Sequence, residues 1–436
     1  MKRTLFLSSQ IATALFAAGA AVAPLAAQQQ MKAPPVRQLG PITARADELL
    51  GAVSTAVPLP DGRVLVNDVL RRRVVMFDST LKEVTVVADS TSATANAYGA
   101  RGGGLLSYHG DSALFIDPAS LSMMVINAKG ELAGIKAVPR ANEINLLVGG
   151  PNGRPGFDAK NRMVYRGQAR GRAAGRNARP TVGNFVMPEQ PDSAPVVRVD
   201  LATRKIDTIA MFKIPRADIK VTQGNDGRMN IQTTINPLPT TDDWALLSDG
   251  AIAVVRGSDF HIDWIDADGN MTSSPKILFD WVRLSDEDKE MVLDSARAAV
   301  ERQRSEAGRL MGRGDLAGAG GAFVGMMGGG PGGPGGGGLQ MPTVNMVDAK
   351  DLPDYRPPFG QQSSLGDADG NLWVRTSAAV GAGGPIYYVI SRQNEIIDRI
   401  QIPQGRIVAG FGRGGVVYLG FRDTDGNARL ESARWK

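Results

Sequence analysis

The sequence predicts an all-β fold, a six-bladed β-propeller of four-stranded antiparallel blades, and three observations predict it. A turn followed by alternating apolar residues recurs six times along the chain. Each copy is followed by a second pair of apolar runs closed by a short polar turn. Glycine makes up 53 of the 436 residues, an excess that a chain of many tight turns requires.

The clearest copies are Leu59-Pro60-Asp61-Gly62-Arg63-Val64-Leu65-Val66, Leu247-Ser248-Asp249-Gly250-Ala251-Ile252-Ala253-Val254-Val255 and Asp367-Ala368-Asp369-Gly370-Asn371-Leu372-Trp373-Val374. Weaker ones begin at His109, Asp158 and Gly412. Asp-Gly and Gly-Gly pairs favour turns with positive φ, which join antiparallel strands. The second hairpins run from Val74–Asp78 to Val84–Val87, Met124–Asn127 to Leu132–Val138, Val196–Leu201 to Ile206–Ile214, Phe260–Ile265 to Lys276–Phe279, and Tyr387–Ile390 to Ile396–Ile402. Four strands per unit is the pattern of a propeller blade. Three stretches, 167–194, 216–241 and 284–351, read as insertions. Without them and residues 1–27, six units of about 48 residues remain, matching the ~40–50 of propeller repeats. The sixth unit ends one strand early, after Leu430–Trp435. The segment Val36–Ala44 is therefore expected to supply the outer strand of that last blade and close the ring.

On these repeated Asp-Gly-x-apolar-x-Val hairpins, the sequence resembles the bacterial six-bladed propellers of the TolB-like, NHL and gluconolactonase-like superfamily. The resemblance covers roughly residues 40–436 apart from the insertions, and it implies the fold and little more. No Trp-Asp dipeptide occurs, which sets the chain apart from WD-repeat propellers.

Lys2 and Arg3, an apolar run through Ala18 and the small residues ending at Ala27 follow the order of a secretory signal peptide. Residues 1–27 are read as that signal and 28–436 as one propeller domain. The product is expected to be exported, periplasmic or extracellular, and soluble, since no later stretch is apolar enough to span a membrane. Cysteine is absent, which excludes disulfides, thiolate metal sites and cysteine nucleophiles, and two His exclude a His-cluster metal site. The net charge of +5 is too mild to argue for a nucleic-acid partner. Arg154, Arg162, Arg166, Arg170, Arg172, Arg176 and Arg179, with Lys160 and only Asp158 opposing, form a basic stretch over 154–179. A basic loop could bind anionic polymers or lipid head groups, but it lacks interleaved aromatics for stacking on bases and reads rather as a solvated loop.

Within the third insertion, 284–313 reads as a helix. Ser285 is its N-cap with Asp288 three residues on, acidic residues fill the first turn and arginines lie near the end. Residues 312–338 are glycine-rich and read as a linker. Three Asp-x-Asp-Gly-Asn runs begin at Asp266, Asp367 and Asp423. They lack the Glu of an EF-hand and fall in different turns, so turn chemistry explains them. Gly410-Phe411-Gly412-Arg413-Gly414-Gly415 matches Gly-x-Gly-x-x-Gly but precedes a strand instead of the helix a dinucleotide needs. His261 with Asp263 is the one pair suited to test as an acid/base couple.

In a propeller, the connections between second and third strands share a face with the blade-to-blade links and ring the central channel. The residues falling there are Asn67 and Asp68, Asp117, Arg166, Arg256, Arg375 and Arg422. Four repeats place an Arg at that spot, and a guanidinium offers several donors to carboxylate or phosphate. The expectation is a monomeric module that binds a small anionic ligand or a protein partner at the channel mouth, with no cofactor and no catalytic residue. The plainer expectation is that these arginines only bridge blades. The alternative is a metal-dependent, lactonase-like hydrolase. There the resemblance implies a divalent cation such as calcium, held by an early Glu with Asn and Asp from other blades. No Glu lies near Val53–Leu59, the nearest being Glu48, while Asn67, Asp68 and Asp117 are candidate oxygen donors. A lyase of the NHL group needs several metal-binding His.

Overall fold

The tight turns do what their composition dictates. Between the first two strands of the first repeat, Leu59 donates to the Arg63 carbonyl at 2.7 Å and Gly62 donates back to Leu59 at 3.0 Å, with Gly62 at φ +90°. The hairpin Gly412–Val416 turns through Gly414 and Gly415, both at positive φ, so the Gly-x-Gly-x-x-Gly match is a strand connection. In the three Asp-x-Asp-Gly-Asn runs the leading Asp accepts the N–H groups two and four residues on, at 2.8–3.1 Å, and the Asn side chain completes the turn.

The computed structural model describes residues 33–90, 97–99, 102–109, 111–170, 190–216, 218–223, 229–312, 343–378 and 383–436. The proposed signal peptide and the glycine-rich run from 313 lie outside the described residues. The chain is a β-propeller, and its sheets follow the sequence order. The first holds Ala56–Pro58, Val64–Asp68, Arg73–Phe77 and Val84–Asp89. The second holds Gly104–Ser107, Ala113–Asp117, Ser122–Ile126 and Leu132–Ala137. The third holds Gly156–Phe157, Met163–Arg166, Ser193–Val199 and Ile206–Lys213. The fourth holds Asp243–Leu246, Ile252–Arg256, His261–Ile265 and Met271–Ser273. The fifth holds Phe359–Gly366, Leu372–Thr376, Ile386–Ile390 and Ile396–Gln401, and the sixth Arg406–Gly412, Val416–Arg422, Ala428–Arg434 and Ile42–Arg45.

Second and third strands are buried almost throughout because both faces of each sheet are covered. Alternate side chains serve different neighbours: Val64 and Val66 pack against the sixth sheet, Leu65 against the second. Each hydrophobic cluster is shared by two consecutive sheets, and one joins the sixth to the first through Ala409, Tyr418 and Leu430 against Val64, Val75 and Phe77. Each fully buried large side chain contributes about 1.5–3 kcal/mol. The first strands of neighbouring sheets pack on one another, whereas outer strands such as Leu132–Ala137 are largely exposed.

The N-terminal segment departs from expectation. Ile42–Arg45 does form the outer strand of the sixth sheet, antiparallel to Ala428–Arg434. Val36–Gln38 instead pairs parallel with Ile396–Gln401 at the edge of the fifth. Pro41 has no N–H to donate, and Gly40 passes so close that a Cβ would lie 2.3 Å from the Arg434 carbonyl oxygen. The segment therefore steps from one sheet to the next and fastens both, with Leu39 buried between them.

The insertions carry structure. Asp286–Gly312 is the expected helix, and its capping box forms: Ser285 Oγ accepts from Asp288 N at 3.1 Å while Asp288 accepts from Ser285 N at 2.9 Å. Asp218–Gln223 and Met229–Ile235 make a hairpin to which Thr343–Met346 adds in parallel, a three-stranded accessory sheet built from the second and third insertions. The stretch 154–179 is not one loop. Arg162 pairs with Asp158 at 2.7 Å in the turn joining Gly156–Phe157 to Met163–Arg166, and residues 171–179 lie outside the described residues. Among the described residues no helix is long and apolar enough to cross a membrane.

Candidate functional site

Each second strand ends where the link entering its sheet also arrives. In the first sheet, Asp68 is fully buried and accepts from Gly51 N at 2.9 Å, Ala52 N at 3.1 Å and Arg71 N at 3.3 Å, while Arg73 Nε reaches its other oxygen at 3.3 Å. Asn67 donates to the Gly103 carbonyl of the next link at 2.8 Å. In the second sheet, Asp117 repeats the pattern with Gly99 N at 3.1 Å, Ala119 N at 3.0 Å and Ser120 Oγ at 2.6 Å. These carboxylates staple links, and their lone pairs are taken. A cation bound to Asn67, Asp68 and Asp117 would have to release those links, so the three do not fit a metal as they stand. Among the described residues no group of three or more His, Asp and Glu is placed to hold one.

The arginines fall into two kinds. In the fourth sheet, Arg256 is neutralised by Asp242 at 2.8 Å and Asp263 at 2.7 Å. Burial alone would lower its pKa, but the two carboxylates outweigh that and hold it above its ordinary value. Arg166, Arg375 and Arg422 have no carboxylate within 4 Å among the described residues. Arg422 donates to the Gly426 carbonyl at 2.7 Å and to Gly51 at 3.2 Å. Arg375 reaches only the Gln361 carbonyl, at 3.4 Å. Arg166 donates to Asn152 Oδ1 at 2.8 Å and lies 5.9 Å over the Phe212 ring, but its buried Nε has no partner. Burial lowers the pKa of Arg166.

The sequence expectation missed a further arginine. Arg154, at the start of the third sheet, donates to the carbonyls of Val408 at 2.7 Å and Ala409 at 3.1 Å in the first strand of the sixth. Those sheets are not neighbours, so the side chain crosses the channel. Burial lowers its pKa, and the nearby Tyr387 hydroxyl works against that. Tyr387 is itself pushed up by burial, which Arg375 and Arg154 oppose.

Arg166 lines a narrow cleft with Asn152, Gly153, Phe212, Trp244, Asp242, Asp243, Gln361 and Gln362. Ile214 and Pro215, at the root of the second insertion, form its wall. Gly153 sits at φ +87°, where a Cβ would come within 2.7 Å of the Trp244 indole. Gln362 also has a left-handed φ of +54°, at the bulge where the pairing register shifts between Phe359 and Ser364. That bulge turns Ser363 N and Ser364 N onto Asp243, which accepts them at 2.7 and 2.8 Å. Burial still pushes the Asp243 carboxyl up to about 6. Asp242-Asp243-Trp244 at the start of a strand is the local signal that could have pointed to this corner. Nothing local marked Gly153-Arg154 or the Gln361-Gln362 bulge.

His261 stands between Asp259, 2.6 Å from Nδ1, and Asp263, 3.4 Å from Nε2. Its hydrogen bond holds Asp259 below the usual carboxylate range. For Asp263 burial acts upward, but Ser273 and Arg256 outweigh it and the net shift is downward. His109 lies against Tyr108 in a turn.

No protein-family model matches the chain, and no curated protein is similar to it in sequence. Solved structures resemble it distantly. A gluconolactonase from Xanthomonas campestris is 11% identical over 92% of this chain and 98% of its own, with a TM-score of 0.37. Regucalcin from Agrobacterium tumefaciens, a calcium-binding protein, is 12% identical over 92% and 97%, with a TM-score of 0.39. Virginiamycin B lyase from Staphylococcus aureus is 10% identical over 88% and 95%, with a TM-score of 0.35. At these TM-scores the propeller architecture rests on the sheet order and shared clusters of the chain itself.

Proposed function

We propose that this chain is an exported, monomeric, six-bladed propeller that binds an anionic ligand on the face where its blade-to-blade links meet. One observation carries this. Among the described residues Arg154, Arg166 and Arg375 have no carboxylate within 4 Å, which supports the reading. Arg256, by contrast, is neutralised by Asp263 of its own sheet and Asp242 of the link entering it. Arginines held by carbonyl or amide oxygens alone keep their net charge for an incoming anion. Titration with a panel of small organic anions by calorimetry, at low and high salt, tests this. Binding that weakens with salt is expected, and a panel that gives no heat at either salt would overturn it.

A metal-dependent hydrolase is the alternative; it would require Asn67, Asp68 and Asp117, at the same ends of adjacent sheets, to give up the link contacts described above. Melting in the presence of calcium, magnesium, zinc or manganese checks it, since a cation bound to the native state alone must raise the midpoint. No rise with any of the four removes this alternative.

A further inference from the structure

We propose that Arg154, Arg375 and Tyr387, where the fifth and sixth sheets meet the channel, form a seat of donors for a doubly charged tetrahedral oxyanion, either free sulfate or the phosphate group of a small ligand. This rests on the anion-binding function proposed above and names its seat and ligand class.

Topology brings the three residues together. Arg375 and Tyr387 are direct cross-strand partners in the second and third strands of the fifth sheet, so their side chains share one face. That face meets the sixth sheet, because Tyr387 packs in one cluster with Val408. Arg154 arrives from the third sheet and holds the Val408 carbonyl at 2.7 Å.

Tyr387 is the group that points to a ligand. Its side chain is buried, with 6% of the residue exposed, and its hydroxyl has no hydrogen-bond partner among the described residues. Unlike the Arg166 Nε, that hydroxyl is not sealed from solvent. Burial pushes its pKa up, so it keeps its proton and stands as a donor in want of an acceptor.

The arginines set the valence. The charges of Arg375 and Arg154 act on the Tyr387 hydroxyl, and among the described residues no carboxylate does. None acts on Arg154 either. Both arginines are half-buried. Arg154 spends two N–H groups on carbonyls and Arg375 one, at 3.4 Å, which leaves donors on each guanidinium. A monoanion would leave one of the two charges standing, whereas a dianion cancels both. With only donors around it, the seat suits oxygens that carry no proton, as in sulfate and in a phosphate monoester dianion.

Calorimetry on the full chain at fixed ionic strength, with sulfate, methyl phosphate and acetate, tests the seat. The two dianions are expected to bind at least about ten-fold more tightly than acetate. Arg375→Gln is expected to lose about ten-fold or more in affinity for them. Tyr387→Phe, which keeps the buried ring and removes only the hydroxyl, should lose several-fold. Lys205→Gln, a surface change beside Asp207, serves as the control and should leave affinity unchanged. Melting curves of each variant confirm that it is folded. Tighter binding of methyl phosphate than of sulfate assigns the seat to a phosphate-bearing ligand, and the reverse order to the free ion. Acetate that binds as well as the dianions overturns the assigned valence. Dianion binding untouched by both Arg375→Gln and Tyr387→Phe overturns the seat and leaves anion binding elsewhere on this face standing. No heat from any anion, organic or inorganic, removes both.

Discussion

The first two sheets and the third do opposite things with the same position of the repeat. At the end of the second strand, Asp68 and Asp117 point inward, lose all contact with water and accept the N–H groups of the arriving link. Arg166 at the matching place holds a single side-chain oxygen and lines open space. A carboxylate can saturate itself on backbone donors, because link N–H groups are supplied by the fold wherever a sheet begins. A guanidinium only donates, so at that position it takes carboxylates where they reach it, as at Arg256, and elsewhere carbonyls or amides that leave its charge standing. The first two sheets are therefore fastened to their links by acids, and the third leaves Arg166 without a neutralising carboxylate among the described residues.

Substitutions distinguish the two arrangements. Asp68→Ala is expected to have the largest effect, a loss of about 3–5 kcal/mol, because it strands buried link N–H groups and the Arg73 charge together. Urea unfolding measures it, and a loss below about 1 kcal/mol would mean that Asp68 is not a staple.

Asp243→Asn tests the corner beside Arg166 through pH. The ordinary carboxyl value of 3.8 is raised to about 6 by burial. Between those values the folded chain holds a proton that the unfolded chain has lost. Stability from this group is therefore full at low pH and lost as pH rises through about 6. At ~1.4 kcal/mol per pH unit, Asp243→Asn should be more stable than the parent by roughly 3 kcal/mol above neutrality, with no gain in acid. Parallel unfolding curves across that window would show the carboxyl to be unstrained.

Asp117→Ala strands only neutral donors and should cost about 2–3 kcal/mol, less than Asp68→Ala by the absence of an arginine partner. A cost equal to that of Asp68 would assign the whole effect to the link. Arg166→Gln should change stability by less than about 1 kcal/mol, since no ion pair is broken. A loss as large as that of Asp117→Ala, measured by the same unfolding curves, would make Arg166 a structural bridge and erase the difference between the two arrangements.

Much of this was legible in the chain. Turn dipeptides and period-two alternation marked most of the hairpins, since both signals act over a few residues; the outer strand of the fourth sheet is Met271–Ser273 instead of the expected Lys276–Phe279. Five of the seven positions predicted for the channel ring end second strands; Asn67 and Arg375 each lie one residue inside their own. What the pattern left open was each side chain's use. Arg256 and Arg166 look alike in sequence, yet Asp242 and Asp263 reach one and Asn152 the other. Nor did the segment Val36–Ala44 announce that it divides between two sheets, because Gly40-Pro41 marks a break without saying which edge comes next.

By itself the sequence determined the repeat, the turns, the helix with its capping box and the acid or base at each strand end. Those follow from backbone sterics and local hydrogen bonds. The tertiary structure alone decided where charge is cancelled and where it survives. Arg154 finds its carbonyls 254 residues further along, across the channel. Such pairings exist only once the sheets have closed on one another, for the free energy of a buried charge depends on everything around it and on little that is adjacent in the chain.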